Sequence, residues 1–215
     1  MRPRGGIAVL RELFAALPAD YPAAVFVVTH LAPDSPSALP GILDRTSNMP
    51  VAAAWSGARI RVGTVLVAPP DLHLVLQADR VELVHGPREN RHRPSIDVLF
   101  RSAAVMFGPR VTGVVLSGMQ DDGSAGLWAI KRRGGAAVVQ DPADAEFQDM
   151  PQNAMDVVAV DAAVPVRDMP EVLMRLARAA VRDAPVPPSM EKEVQIVTAN
   201  GTSPEDLDSL GQAFH

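Results

Sequence analysis

Residues 111–126 read VTGVVLSGMQDDGSAG, and the order of residue types within them decides the fold. Val111, Val114, Val115 and Leu116 form a β-branched, apolar run that suits a strand covered on both faces. Ser117-Gly118-Met119-Gln120-Asp121-Asp122-Gly123 then breaks the run. From Ser124 a helical pattern starts, with Leu127 and Ile130 apolar, Lys131, Arg132 and Arg133 polar, and Gly134-Gly135 as the stop. A strand, a glycine-bracketed loop and a helix put that loop at the carboxyl end of a parallel sheet, where open α/β folds bind ligands. Two adjacent carboxylates sit in the loop. One is naturally an N-cap for the helix that follows; the other needs a different reason.

The same grammar continues outward. Downstream, residues 136–140 (AAVVQ) read as a second buried strand and 141–150 as a loop or short helix. Met150-Pro151-Gln152-Asn153-Ala154 begins a helical turn, residues 157–160 read as a short strand, and 168–181 as a helix whose apolar face carries Val172, Leu173, Leu176, Ala177, Ala180 and Val181. Upstream, residues 23–29 (AAVFVVT) are a continuous β-branched strand ending at His30, a histidine at the rim where sites form. Residues 35–44 read as a short helix with Ser35 as cap and Pro36 at its first position. Ile96, Leu99, Phe100, Ala103, Ala104 and Phe107 mark another helix, with Ser95 near its start. Ile7, Leu10, Leu13, Phe14 and Leu17 mark the first helix, entered from Gly5-Gly6. Such a glycine pair usually closes a strand-to-helix turn, yet only Met1-Arg2-Pro3-Arg4 precedes it: a βα unit without its β half.

Residues 51–76 have a different texture, short apolar runs broken by Gly57, Gly63 and Pro69-Pro70, and residues 81–84 add one more. They read as antiparallel hairpins, with His73 and His85 at solvent-facing strand positions and no carboxylate spaced to complete a metal site. Residues 86–94 form a charged loop in which His92 reads as solvated, while Arg88, Arg91 and Arg93 make a basic spot. Strands alternating with helices give the expected fold class: α/β, a doubly wound, mostly parallel sheet flanked by helices, with an antiparallel hairpin excursion.

Composition bounds the function. The 215 residues carry a net charge of −5, which leaves no electrostatic footprint for nucleic acid. With no cysteine, disulfides, thiolate metal sites and a cysteine nucleophile are excluded. No apolar run reaches the ~20 residues of a membrane helix, and the N-terminus lacks the apolar core of a signal peptide, so no membrane insertion and a cytoplasmic location are expected. A nucleotide-binding reading fails because neither GxGxxG nor GxxxxGK[ST] occurs. Residues 1–184 read as one domain; 185–215 read as a linker, opening with Pro185-Val186-Pro187-Pro188, and a polar tail.

Six short motifs come in one order: His30 after a VVT strand, APPDLHL at 68–74, PSIDVLFRSAA at 94–104, SGMQDDGSAGL at 117–127, VVQDP at 138–142 and MPQNA at 150–154. In these, over roughly residues 5–182, the chain resembles the catalytic domain of CheB-type chemotaxis protein-glutamate methylesterases. The resemblance implies a serine hydrolase on a doubly wound α/β fold, cleaving methyl esters of glutamate side chains on the cytoplasmic helices of methylated chemoreceptors, with no cofactor and no metal. It implies His30 as the triad histidine, Asp122 as the triad aspartate and Met119 at the oxyanion site. In any such triad the carboxylate fixes the imidazole's tautomer, the imidazole takes the nucleophile's proton, and backbone N–H groups receive the oxyanion.

The same resemblance exposes departures. Aligned on Gly5-Gly6, the serine of the family's GxSxGG turn falls at Pro3, and the strand that presents it is absent. Two expectations follow: a methylesterase whose sequence starts too late, inactive as given, or a non-catalytic relative that binds receptor. Gln120 stands where the family has glycine, so a left-handed backbone there is strained. Ser117 replaces a usual threonine. Ser117 and Ser124 flank Asp122, but Ser124 is explained as a helix-start residue.

Overall fold

The structure is a computed structural model that describes residues 6–30 and 38–179. Its strands are β1 (Val25–Val27), β2 (Val51–Ala53), β3 (Val65–Val67), β4 (His73–Leu76), β5 (Val81–Val84), β6 (Thr112–Val115), β7 (Ala136–Gln140) and β8 (Ala162–Val164). Its helices are α1 (Gly6–Ala16), α2 (Leu39–Asp44), α3 (Ile96–Phe107), α4 (Ser124–Arg132), α5 (Asp149–Val157) and α6 (Met169–Ala177). Two parallel sheets, in the orders β1-β3-β2 and β6-β7-β8, and an antiparallel β4-β5 pair make the α/β architecture expected from the sequence.

Helices cover both faces of the parallel strands. On one face, Leu13 and Phe14 from α1, Leu17 just past it, Leu43 from α2 and Met169 from α6 share a core with Val27, Val65, Val67 and Val138. On the other, Leu99 and Ala103 from α3, Leu127 and Ile130 from α4 and Ala154 from α5 pack with Leu66, Val115, Val139 and the hairpin residues Leu74 and Leu76. The alternation of Val65 and Val67 against Leu66 is the period-2 geometry of a strand buried on both sides. Both cores draw on both parallel sheets. Helix α1 is eleven residues long and buries Val9, Leu10, Leu13 and Phe14. At about 1.5–3 kcal/mol for each large apolar side chain buried, packing rather than helix propensity holds it.

Among the described residues, β1 pairs only with β3 and β6 only with β7. Their carboxyl ends are neighbours, because His30 and Asp122, which follow them, touch.

Three sequence expectations need correction. Within residues 51–76, β2 and β3 are parallel members of the main sheet, and only β4 and β5 form a hairpin. Short apolar runs between glycines look alike in either arrangement; complete burial of Val65 and Val67 is what places β3 inside. His73 is fully buried, not solvent-facing. The strand read at 157–160 lies later, at Ala162–Val164, because Val157 ends α5 and Asp161 sets the register: its N–H bonds Ala137 O and its carboxylate accepts the Ala137 N–H at 2.7 Å. The helix read at 35–44 is described from Leu39, so its cap, Ser35, with Pro36, lies outside the described residues, as do Pro3 and the linker and tail at 185–215.

Candidate functional site

His30 and Asp122 meet across 92 sequence positions. His30 Nε2 lies 2.7 Å from Asp122 Oδ2, with the imidazole 23 % exposed and the carboxylate fully buried. The histidine stands at the rim just past β1 and the aspartate in the loop past β6, the two positions at which a parallel sheet presents ligand-binding residues.

The sequence left one of the two adjacent carboxylates to cap the helix that follows, and the resemblance gave Asp122 as the triad aspartate. Asp122 caps a different helix. Its Oδ1 accepts the Ser95 hydroxyl at 2.8 Å and the Asp97 N–H at 3.1 Å, and its Oδ2 accepts the Ile96 N–H at 2.8 Å. It therefore sits on the N-terminus of α3, whose dipole favours a negative charge. Asn90 adds an amide N–H at 3.3 Å. Burial alone pushes the Asp122 carboxyl upward, but the bonds from His30, Ile96, Ser95 and Asp97 outweigh it and hold the group down at about 2. It is ionised throughout the physiological range.

The cap position of α4 belongs to Gly123, at φ +102°, and the acceptor for that helix comes from α3. Asp97 Oδ1 takes the Gly123 N–H at 3.0 Å and the Gly126 N–H at 2.6 Å, and Asp97 Oδ2 takes the Asn90 amide at 2.7 Å. Only 2 % exposed, Asp97 is pushed up to about 6, chiefly by burial and to a lesser degree by the neighbouring charge of Asp122.

His92, expected in solvent, lies on His30 with ring centroids 3.6 Å apart and planes 9° from parallel. A tight turn presents it: Asn90 and Arg91 are both left-handed, and Glu89 and His92 exchange backbone hydrogen bonds. The same turn thus aims Asn90 inward at the carboxylates. His92 Nε2–H donates to Gln120 Oε1 at 3.3 Å. Burial, then the neighbouring His30, hold the His92 imidazole below its ordinary range. Gln120 has φ +69°, the left-handed backbone that glycine occupies without strain, and its carbonyl is held by the Asn153 amide at 2.7 Å.

Buried His73 supports the site from behind. Its Nδ1 accepts the Ser95 N–H at 3.2 Å and its Nε2–H donates to Pro87 O at 2.8 Å, so one neutral tautomer is fixed. Burial lowers its pKa, in keeping with that neutral form.

Met119, three residues ahead of Asp122 in the same loop, is 58 % exposed. Ser117 is engaged: its N–H donates to Gln140 Oε1 at 2.8 Å and its hydroxyl accepts the Phe147 N–H at 3.0 Å. Ser124 opens α4 with its hydroxyl buried. Helix α1 starts beside this loop, since a Cβ on Gly6 would lie 3.9 Å from Ser117 O. An open pocket of about 650 Å³ adjoins the loop, lined by Asn90, Gln120, Asp121, Trp128 and Asn153 but not by His30, so it flanks the imidazole rather than containing it. Among the described residues, no group of three or more His, Asp or Glu side chains is arranged to hold a metal ion.

The chemistry of this arrangement follows from the tautomer. Ionised Asp122 accepts Nε2–H, which leaves His30 Nδ1 as the free basic nitrogen, and the carboxylate stabilises the cation formed when that nitrogen takes a proton.

Comparison with known proteins gives a consistent result. Residues 3–173 match a family described as CheB methylesterase. A Leptospira interrogans protein provisionally named protein-glutamate methylesterase/protein-glutamine glutaminase is 36 % identical over 173 residues, covering 80 % of this chain and 90 % of that protein. Protein-glutamate methylesterase/protein-glutamine glutaminase 5 of Anaeromyxobacter dehalogenans is 40 % identical over 178 residues, covering 81 % of this chain and 49 % of that protein; this chain thus spans about half the length of that relative. The crystal structure of the Thermotoga maritima CheB methylesterase catalytic domain superposes with a TM-score of 0.78 at 31 % identity, covering 80 % of this chain and 93 % of the other.

Proposed function

This chain belongs to the CheB methylesterase family, and from that premise we propose that residues 1–184 are a methylesterase-like serine hydrolase domain, shaped for methylated glutamate side chains of chemoreceptor cytoplasmic helices and inactive as given because Pro3 stands at the aligned serine position. His30 is the general base, Asp122 its orienting partner, and the loop carrying Met119 borders the oxyanion. The observation that carries this reading is the 2.7 Å contact between His30 and an aspartate held ionised at about 2.

In the proposed step, a hydroxyl nucleophile attacks the ester carbonyl while His30 Nδ1 takes its proton. The tetrahedral intermediate collapses, that proton goes to the departing methoxide, and methanol leaves. Water, activated by the same nitrogen, then releases the glutamate carboxylate. The paired name of the relatives supports the parallel reaction on a glutamine side chain, with ammonia as the leaving group.

The nucleophile belongs on the strand leading into α1. Three features support this: the start of α1 beside the Ser117 loop, the unpaired edges of β1 and β6 among the described residues, and the exposure of His30 between them. Pro3 at the aligned serine position favours a second reading, a receptor-binding relative without hydrolysis. The test is methanol release from methylated receptor fragments. The 215-residue chain is expected to release none, and a version carrying a strand that ends in a GxSxGG turn ahead of α1 is expected to turn over. Release by the 215-residue chain itself, lost in His30→Ala, overturns the binding-only reading; no release by the extended chain overturns the hydrolase reading. The operating compartment in this proposal is the cytoplasm, with no nucleic-acid partner; no helix among the described residues is long and apolar enough to cross a membrane.

A further inference from the structure

We propose that Asp97 is a positioning residue for the His30–Asp122 pair: Asp97 and Asp122 exchange helix caps, and the exchange fixes where the Asp122 carboxylate meets the imidazole. The proposal rests on the reading of that pair as the base of a hydrolase.

Each aspartate holds the backbone next to the other. Asp122 accepts the N–H of Asp97 itself at 3.1 Å, while Asp97 accepts the N–H of Gly123, the residue after Asp122, at 3.0 Å. The two segments close a ring of hydrogen bonds that neither carboxylate can leave alone. Two further contacts tighten it. Asn90 donates to both carboxylates, at 2.7 and 3.3 Å, and so keeps two like charges together. Gly126 lets the helices come close: a Cβ there would lie 2.5 Å from Phe100 Cβ and 3.0 Å from Asp97 Cα. With Ser95, Ile96, Asp97 and Asn90 occupying its other acceptor directions, Asp122 presents Oδ2 to His30 in one orientation. Asp97 touches neither imidazole nor substrate in this scheme; it acts through Asp122.

The experiment reads the ring nitrogens of His30 by ¹⁵N NMR in the 215-residue chain, at a pH where the ring is neutral. The wild type is expected to show one tautomer, with the proton on Nε2. Asp97→Ala is expected to lose that single pattern and give a mixture. Asp97→Asn covers the case in which the alanine variant does not fold. Its side-chain NH₂ faces the Asn90 NH₂, donor against donor, so cap and bridge cannot both survive, and the same loss is expected. Thermal melting separates the roles, because a merely structural aspartate lowers the melting temperature and leaves the tautomer unchanged. A folded Asp97 variant that keeps the single Nε2–H tautomer overturns the proposal. A wild-type ring without that tautomer, or an Asp122→Asn ring that retains it, overturns the His30–Asp122 pairing itself, and the proposal with it.

Discussion

His30 and Asp122 were singled out by the resemblance more than by local pattern: His30 stands three residues past β1 and Asp122 seven past β6, within a loop, and neither spacing alone says that the two side chains meet. Their supporters were not legible as such. Asn90 and His92 lie in a stretch whose charge and turn residues suit a solvated loop, and only the left-handed turn at Asn90–Arg91 aims them inward. His73 alternates with apolar residues as an exposed strand residue does; its burial is set by Pro87 and Ser95, which reach it from other segments. Gln120 was legible as a strained position, and its φ of +69° is that strain. The two aspartates make opposite contributions to stability. Asp122, lowered to about 2, adds stability that is present above pH 3.8 and lost as pH falls towards 2. Asp97, raised to about 6, favours the folded state while protonated; that contribution is full below pH 3.8 and lost as pH rises through 6. At about 1.4 kcal/mol per unit, Asp97 accounts for a fall of about 3 kcal/mol. Urea titrations at pH 4 and pH 7 are therefore expected to show wild type losing about that much relative to Asp97→Asn. Parallel profiles for the two proteins would contradict the assignment.

At the scale of elements, α3, α4, β6 and β7 were readable nearly to the residue, because helical and strand periods are local properties. The way α3 and α4 cap each other was not readable. An aspartate just before a helix caps that helix in most proteins, and nothing local tells Asp122 to turn instead to α3. The close approach left only a faint trace, a glycine inside a helix at Gly126. Filling it tests the contact. Gly126→Ala sets a Cβ against Phe100 Cβ and the Asp97 backbone and is expected to cost about 1–3 kcal/mol. Gly113→Ala also meets close atoms, at 2.6 and 2.8 Å, but these are the flexible ends of Leu127 and Ile130. Its cost, measured by the same denaturation, is expected to be the smaller of the two. The reverse order would mean that the helix crossing has slack that the capping scheme does not allow.

For the whole molecule, the doubly wound α/β plan followed from the alternation of strands and helices. Pairing partners were harder to read, because partner choice depends on burial decided far away; hence β2 and β3 turned out parallel. Among the described residues no strand pairs with the outer edges of β1 and β6, which leaves room for one more parallel strand between them. Adding a strand ahead of α1 is expected to raise the melting temperature and slow amide exchange along both edges; unchanged exchange at β1 and β6 would place that strand elsewhere. With the nucleophile turn so restored, the rate of methanol release from methylated receptor, compared between Asp122 and Asp122→Asn, addresses the base assignment most directly. The expected result is a loss of about 10⁴-fold, the magnitude of a wrong-tautomer triad in a serine protease. An Asp122→Asn enzyme as fast as its parent would contradict it.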